Sequence, residues 1–385
     1  MTAGFVEATG RTGSDDITSV RWRTYSGASR NAIRVSFGGM SRRQTMVISL
    51  TTNEGLVGHG ETWVNYPSWA VHERAGALRE GLAPAILSMG TRDQEALMDV
   101  ARQAVMPYAR QAGAIGPAFS LLCGLEMALL DLEAKRRSVP FHRLFSDSVD
   151  RAPLYASGLD TTSDPGRVTD ALAAGHRRIK FKCGFDFERD ISTLRDMRMR
   201  IGPDVGMLID ANQAYSPQEA LRFAEACAPL ELAWFEEPTD CTDLDGMAWL
   251  RERSPIPIAA GENWYGLDSL LRGVEAGAVN VVQPDIIKNA TISEVLKLSE
   301  RVGDSDVRIA FHNFSSTLAV LASVHLASGA LRGAWVETDV TGSPLAEGFM
   351  DPPLRVIEGW CAPPSAPGLG AEIVMPHSDE EELWQ

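Results

Sequence analysis

The sequence predicts an α/β fold: a closed parallel barrel of repeated βα units with a smaller α+β domain ahead of it. After Pro153, short apolar runs alternate with helix-like stretches, the pattern of βα repeats around a parallel sheet. Most of these runs end on an ionisable residue, spaced 23 to 28 residues from the next. No Gly-rich phosphate turn follows the first run, as a doubly wound nucleotide-binding sheet would usually carry.

The elements follow in order. The first residues lack a basic stretch leading into an apolar one, so an export signal is not expected, and 1–14 reads as a disordered tail. The alternating Met46-Val47-Ile48-Ser49-Leu50 reads as a strand, and Asn53-Glu54-Gly55 as a turn. From residue 71 to 137 the pattern is helical. It is clearest over 117–135, where Leu121, Leu125, Ala128, Leu129 and Leu132 recur at steps of three and four. Eight strands are then expected at 154–157, 179–183, 207–210, 233–236, 258–262, 279–285, 308–312 and 334–337. Ser216-Pro217-Gln218-Glu219 has the form of a helix-starting capping box. The Pro- and Gly-rich stretch after Pro344 shows no helical period and is expected to run back to the first domain.

Bulk composition narrows the function classes. The 385 residues exceed one ordinary core. With 51 acidic against 36 basic side chains the formal charge is −15, which argues against a nucleic-acid surface. The five cysteines are scattered and form no C-x-x-C pair, so a reducing cytoplasm is expected. No apolar run is read as long enough to cross a membrane.

The polar strand ends carry the chemistry. In a parallel barrel all C-terminal strand ends open on one face, so Lys182, Asp210, Glu236, Glu262, Asp285, His312 and Glu337 are expected to converge. Three successive carboxylates, Asp210, Glu236 and Glu262, would repel one another unless a cation sat between them. An oxygen-only set favours a hard ion, Mg2+ first and Mn2+ second. Lys180 and Lys182 lie two apart on one strand and point the same way; facing inward, each would depress the other's pKa and make one a base. Asp285 beside His312 would fix the imidazole tautomer and raise its basicity.

These stretches resemble the enolase superfamily and, within it, the mandelate racemase subgroup. The resemblance rests on Lys180-Phe181-Lys182, Asp210-Ala211-Asn212-Gln213, Trp234-Phe235-Glu236-Glu237-Pro238, Gly261-Glu262-Asn263, Gln283-Pro284-Asp285, His312 and Glu337. It implies a modified (β/α)7β TIM-like barrel (146–343) with an α+β capping domain formed by residues 15–145 and the returning tail, 344–385. It implies Mg2+ on Asp210, Glu236 and Glu262, and abstraction of the proton α to a carboxylate to give an enediolate. Lys182 would be the base on one face and His312, paired with Asp285, the acid or base on the other. Lys180 and Glu337 would meet the substrate carboxylate, with Glu337 protonated if it donates, and Asn212 would contact substrate. Lys288 would be a supporting residue, and the Asn289-Ala290 that follows departs from the glycines common there. A small-molecule carboxylate substrate and a homo-oligomer, dimer to octamer, are expected.

Two reactions stay open: dehydration of a hydroxylated acid, a sugar acid being favoured, and racemisation or epimerisation of a hydroxy acid or amino-acid derivative. A barrel that only binds is the remote alternative. Substrate choice is expected near Arg30, Arg34, Arg42 and Arg43, and at a wall of Trp63, Tyr66 and Trp69.

Overall fold

The structure, a computed structural model, describes residues 3–7, 16–35, 38–303 and 305–377. The capping sheet is antiparallel in sequence order: β1 (Gly4–Glu7), β2 (Ile17–Val35), β3 (Gly38–Thr52) and β4 (Val57–Thr62). The stretch read as a disordered tail therefore contains a strand, with Phe5 opposite Arg21 and Val6 opposite Val20; the remainder of 8–14 lies outside the described residues.

The sheet packs on a helical layer. Helices α1 (Ala70–Ala77) and α2 (Ala83–Ser88) flank a π-helical turn, followed by α3 (Gln94–Ala112) and α4 (Ile115–Arg136). Val20, Trp22, Met46, Ile48 and Leu50 from the strands meet Leu121, Leu122, Leu125 and Leu129 from α4. The approach is close because Gly60 has no side chain: a Cβ there would lie 2.0 Å from the Gly124 carbonyl oxygen. The expectation of no membrane-length apolar run needs correcting. Helix α4, 22 residues long, has the length and composition to cross a bilayer, yet most of it is buried inside the fold as a core helix.

The barrel alternates β5 (Ala152–Asp160), α5 (Pro165–Ala173), β6 (Arg178–Lys182), α6 (Phe187–Ile201), β7 (Gly206–Asp210), α7 (Pro217–Cys227), β8 (Phe235–Glu236), α8 (Leu244–Arg253), β9 (Ile258–Ala260), α9 (Leu267–Glu275), β10 (Val281–Val282), α10 (Ile292–Val302), β11 (Arg308–Phe311), α11 (Thr317–Ser328) and β12 (Trp335–Asp339). Neighbouring strands are parallel, and β12 pairs with β5, Glu337 opposite Tyr155, which closes the ring. Eight strands and seven helices make it a (β/α)7β barrel. The capping box at α7 forms, with Ser216 and Glu219 exchanging side-chain and backbone bonds.

Period-two geometry sorts side chains by layer. Ile179 and Phe181 of β6 and Met207 and Ile209 of β7 point out to Val168, Leu194 and Phe223 on the helices. Lys180, Lys182, Leu208 and Asp210 point in. Below them Tyr155, Trp234, Val281 and Ala310 fill the barrel, so charge is held at one end over an apolar floor. After β12 the chain forms β13 (Met350–Asp351), β14 (Trp360–Cys361) and β15 (Glu372–Ile373). Strand β14 runs antiparallel to β5, β13 pairs with β15, and the Leu369 N–H donates to Asp131 on α4.

Candidate active site

The polar residues predicted at strand ends gather at the C-terminal rim, though several lie just past the ladder. Lys182, Asp210 and Glu236 end β6, β7 and β8; Glu262, Asp285 and His312 follow β9, β10 and β11 by one to three residues; Glu337 is inside β12. All are 9 % exposed or less.

One side of the rim is built on lysine. Lys180 Nζ lies 2.5 Å from Glu236 Oε1, 2.7 Å from Glu337 Oε1 and 3.5 Å from Asp210 Oδ2. Lys182 donates to Asp210 Oδ2. On the other side His312 Nδ1 meets Asp285 Oδ2 at 2.7 Å, and its Nε2 stands 3.0 Å from Glu262 Oε2. Lys288 Nζ pairs with Glu262 Oε1 at 3.1 Å under the Trp63 ring. Asn212 is buried beside this set, its N–H donating to Asp210 Oδ1. The structure thus brings together every residue the sequence singled out for chemistry.

It also adds residues to which the sequence gave no role. Glu236 Oε2 accepts from Gln283 Nε2 at 2.7 Å and from Trp234 Nε1 at 3.2 Å. Glu337 Oε2 accepts from the Asn313 N–H at 3.0 Å, with Tyr155 Oη 3.4 Å away. Glu237 is 1 % exposed and accepts from Asn263 Nδ2 at 2.7 Å. Strand alternation would turn Glu237 away from Glu236's face. Its left-handed backbone, φ +37°, breaks the alternation, and Asn212 and Gln213 share that conformation.

The electrostatics correct two expectations. Burial lowers the pKa of Lys182 and Lys180 adds to that, but Asp210, Glu236 and Glu262 outweigh both and the net shift is upward. Burial likewise works against Lys180, yet Glu236 and Glu337 hold it well above its ordinary value. Burial raises Glu337, but Lys180 and His312 more than offset it, so the carboxyl is ionised here instead of protonated. Glu236 is pushed to about 8 by burial, with Asp210 and Glu337 adding to it against Lys180. Glu237 is pushed to about 7 by burial and by Glu262 and Asp210. Burial lowers His312, but Glu262 and Glu337 overcome this and raise it to about 10.

A divalent cation fits this charge pattern. Six buried carboxylates, Asp210, Glu236, Glu237, Glu262, Asp285 and Glu337, face three buried ammonium groups and one imidazole. Without a further cation, burial and the neighbouring carboxylates push Glu236 to about 8 and Glu237 to about 7, so protons there meet part of the negative charge that a divalent cation would otherwise balance. Among the described residues no three acidic, His or Cys side chains stand in ready coordination geometry. Lys180 and Lys182 rest on the carboxylates instead.

The loop residues divide differently from expectation. Arg43 does not face solvent: it is fully buried, stacks 3.5 Å from the Phe314 ring centre, donates to the Phe314 carbonyl and lies 3.4 Å from Asp339. Arg30 pairs with Glu347 on the surface, Arg34 covers Phe185, and Arg42 donates to Ser26. Trp63 reaches the rim, whereas Tyr66 and Trp69 are 48 % and 58 % exposed.

A capped (β/α)7β barrel with acids and bases on its C-terminal rim is the architecture of the enolase superfamily. The chain belongs to the mandelate racemase/muconate lactonizing enzyme family: residues 18–146 match the N-terminal domain of that name, and 166–378 match the domain described as enolase C-terminal domain-like. Among curated relatives, D-galactarolactone cycloisomerase of Agrobacterium fabrum is 27 % identical, spanning 86 % of this chain and 89 % of its own. Arabinonate dehydratase of Saccharolobus solfataricus is 26 % identical, over 91 % and 94 %. An enolase from Bradyrhizobium, solved with magnesium and mandelic acid, superposes with a TM-score of 0.81 at 27 % identity, covering 97 % of this chain and 98 % of that one. Other relatives are epimerases and racemases, so the protein is an enzyme of this family whose reaction class spans lyases and isomerases.

Proposed function

We propose that the protein removes the proton α to a carboxylate to give an enediolate, a reaction for which Mg2+ would supply charge stabilisation, and that the outcome is dehydration of a hydroxylated acid of the sugar-acid class. One observation carries the reading: a buried ammonium group and a buried imidazole–carboxylate pair stand on opposite sides of one acidic rim. Asp210, Glu236 and Glu262 would hold the ion, with Mn2+ as a second choice. When bound, Mg2+ supplies fixed positive charge that stabilises the anion developing on the substrate carboxylate.

The protein's own groups do the rest. Were those carboxylates to hold a divalent cation, Lys182 would keep the repulsion of Lys180 and lose stabilisation from Asp210, which would lower its pKa from the raised value it has here. Lys182 then takes the α-proton from one face, while Lys180 and Glu337 orient the carboxylate. His312, fixed by Asp285, gives a proton to the leaving β-hydroxyl. The Cα–H and Cβ–O bonds break, water departs, and the resulting enol ketonises to a 2-keto-3-deoxy acid. Dehydratases among the relatives support this outcome.

The same opposed pair favours a second reading, racemisation or epimerisation, in which His312 returns a proton to the far face of the α-carbon. Solvent deuterium exchange at the α-carbon with Mg2+, over acid sugars, hydroxy acids and amino-acid derivatives, separates the two. Exchange with loss of water is the expected result, and exchange with inversion marks the second. Lys182→Ala and His312→Asn should each slow turnover by about 10²–10⁴-fold. An enzyme that exchanges no α-proton in any of these acids would defeat both readings.

A further inference from the structure

We propose that Asn289 is a positioning residue that sets Glu262 and Asp285 at one spacing, and that divalent-cation affinity at the rim depends on its carboxamide. The inference rests on the reading of Glu262 as a metal ligand.

The β9–β10 ladder ends too early to fix either residue. Its pairs are Val281 with Ala259 and Val282 with Ala260, and one further bond joins the Gln283 N–H to the Ala260 carbonyl at 2.9 Å. Glu262 and Asp285 lie beyond it, on irregular backbone. Asn289, fully buried, bridges the gap. Its Nδ2 donates to the carbonyls of Gly261 at 2.6 Å and Trp264 at 2.7 Å, the two ends of the turn that presents Glu262. Its Oδ1 accepts from the Asp285 N–H at 2.7 Å. The backbone joins in: the Asn289 N–H donates to the Asp285 carbonyl at 3.0 Å, and its own carbonyl accepts from Gly266 at 2.7 Å.

The chemistry selects this side chain. Two carbonyls need two donors and one N–H needs an acceptor, so only one orientation of a primary amide satisfies all three. Aspartate offers no donor when ionised and leucine offers nothing. The turn itself has little freedom to compensate. Gly261 is at φ +146°, and a Cβ there would sit 2.7 Å from the Gln283 nitrogen, so the Glu262 turn is pressed by backbone contact against the residue that follows β10 and held in place by Asn289. Partners that orient a ligand in this way typically change metal affinity about 10–100-fold when removed.

Isothermal calorimetry of Mg2+ binding to the full-length protein tests this. Asn289→Leu keeps the branched outline at a somewhat larger volume and removes the three bonds; Thr291→Val removes the capping oxygen of α10 two residues away and bonds to neither Glu262 nor Asp285. Each variant's melting temperature is measured alongside. Asn289→Leu should weaken Mg2+ binding about 10–100-fold. Thr291→Val should leave it within about twofold, although it too lowers the melting temperature. If Asn289→Leu does not fold, Asn289→Ser, too short to span both carbonyls, should show the same weakening. Wild-type affinity in a folded Asn289 variant, or equal weakening by Thr291→Val, overturns the inference alone. A wild-type protein that binds no Mg2+ overturns the functional reading and this inference with it.

Discussion

Lys180 shows how much one buried charge does here, because its ammonium group touches Glu236, Glu337 and Asp210 at once. Replacing it by Met leaves three carboxylates facing one another in a site closed to water. Breaking a buried pair in that way costs about 3–5 kcal/mol. Urea unfolding of Lys180→Met without divalent ion should show a loss of that order, and saturating Mg2+ should recover part of it by taking over the carboxylates. An equal loss with and without Mg2+ would mean that the lysine and the cation do not share those partners. Lys180, Lys182 and Asp210 were legible in the sequence because strand alternation alone decides which way they face. Glu237 and Asn289 were not, since a left-handed backbone turns one inward and contacts from beyond a strand end define the other.

At the scale of the element, α11 follows the His312 loop and is held at both ends by groups far away in sequence. At its start Glu61 of β4 accepts from the hydroxyls of Ser315 and Ser316 and from the N–H groups of Ser316 and Ala319, completing the cap that Ser316 begins. The turn that leads into β4 was visible in the sequence, but the pairing of Glu61 with Ser316, 255 residues on, was not. Near its end His325 stacks on His142 and contacts the Leu369 carbonyl. Burial, assisted by His142, drives His325 down to about 3, while the Leu369 carbonyl opposes the shift. A histidine whose folded pKa lies below its unfolded value of about 6.5 gives its full stability above pH 6.5. That stability is lost as pH falls toward 3, because the unfolded chain takes up the proton first. His176, lowered to about 4 chiefly by burial, acts with the same sign. Urea midpoints measured from pH 7.5 to 5 should fall for the wild type and fall less steeply for His325→Leu, which starts lower. Parallel declines would show that His325 takes up its proton as readily in the fold as in the unfolded chain.

Across the whole molecule, the capping domain and barrel are joined by buried polar ties instead of by an apolar seam alone. Arg43 reaches Phe314 and Asp339, Glu126 of α4 accepts from the Ser293 N–H at 3.0 Å, and Glu61 accepts from the Ser315 and Ser316 hydroxyls. The sequence separated the two domains by the change in pattern near Pro153, but these ties join residues 167 or more positions apart, beyond the reach of any local pattern. Each tie exposes a charged or polar group to an apolar interior if its partner leaves, so neither domain can part from the other cheaply. Arg43→Met is the sharpest probe. It keeps much of the buried volume while stripping Asp339 of its cation and the Phe314 carbonyl of a donor. Thermal unfolding should remain one transition at a lower midpoint, the loss being about 3–5 kcal/mol. Amide exchange should quicken most in residues 313–319, which carry the loop after His312, because that segment loses its hold on the cap while the helices packed around β6 and β7 keep theirs. Two separate transitions, with the cap melting first and the 313–319 amides unchanged, would show that the domains fold independently and that Arg43 serves the cap alone.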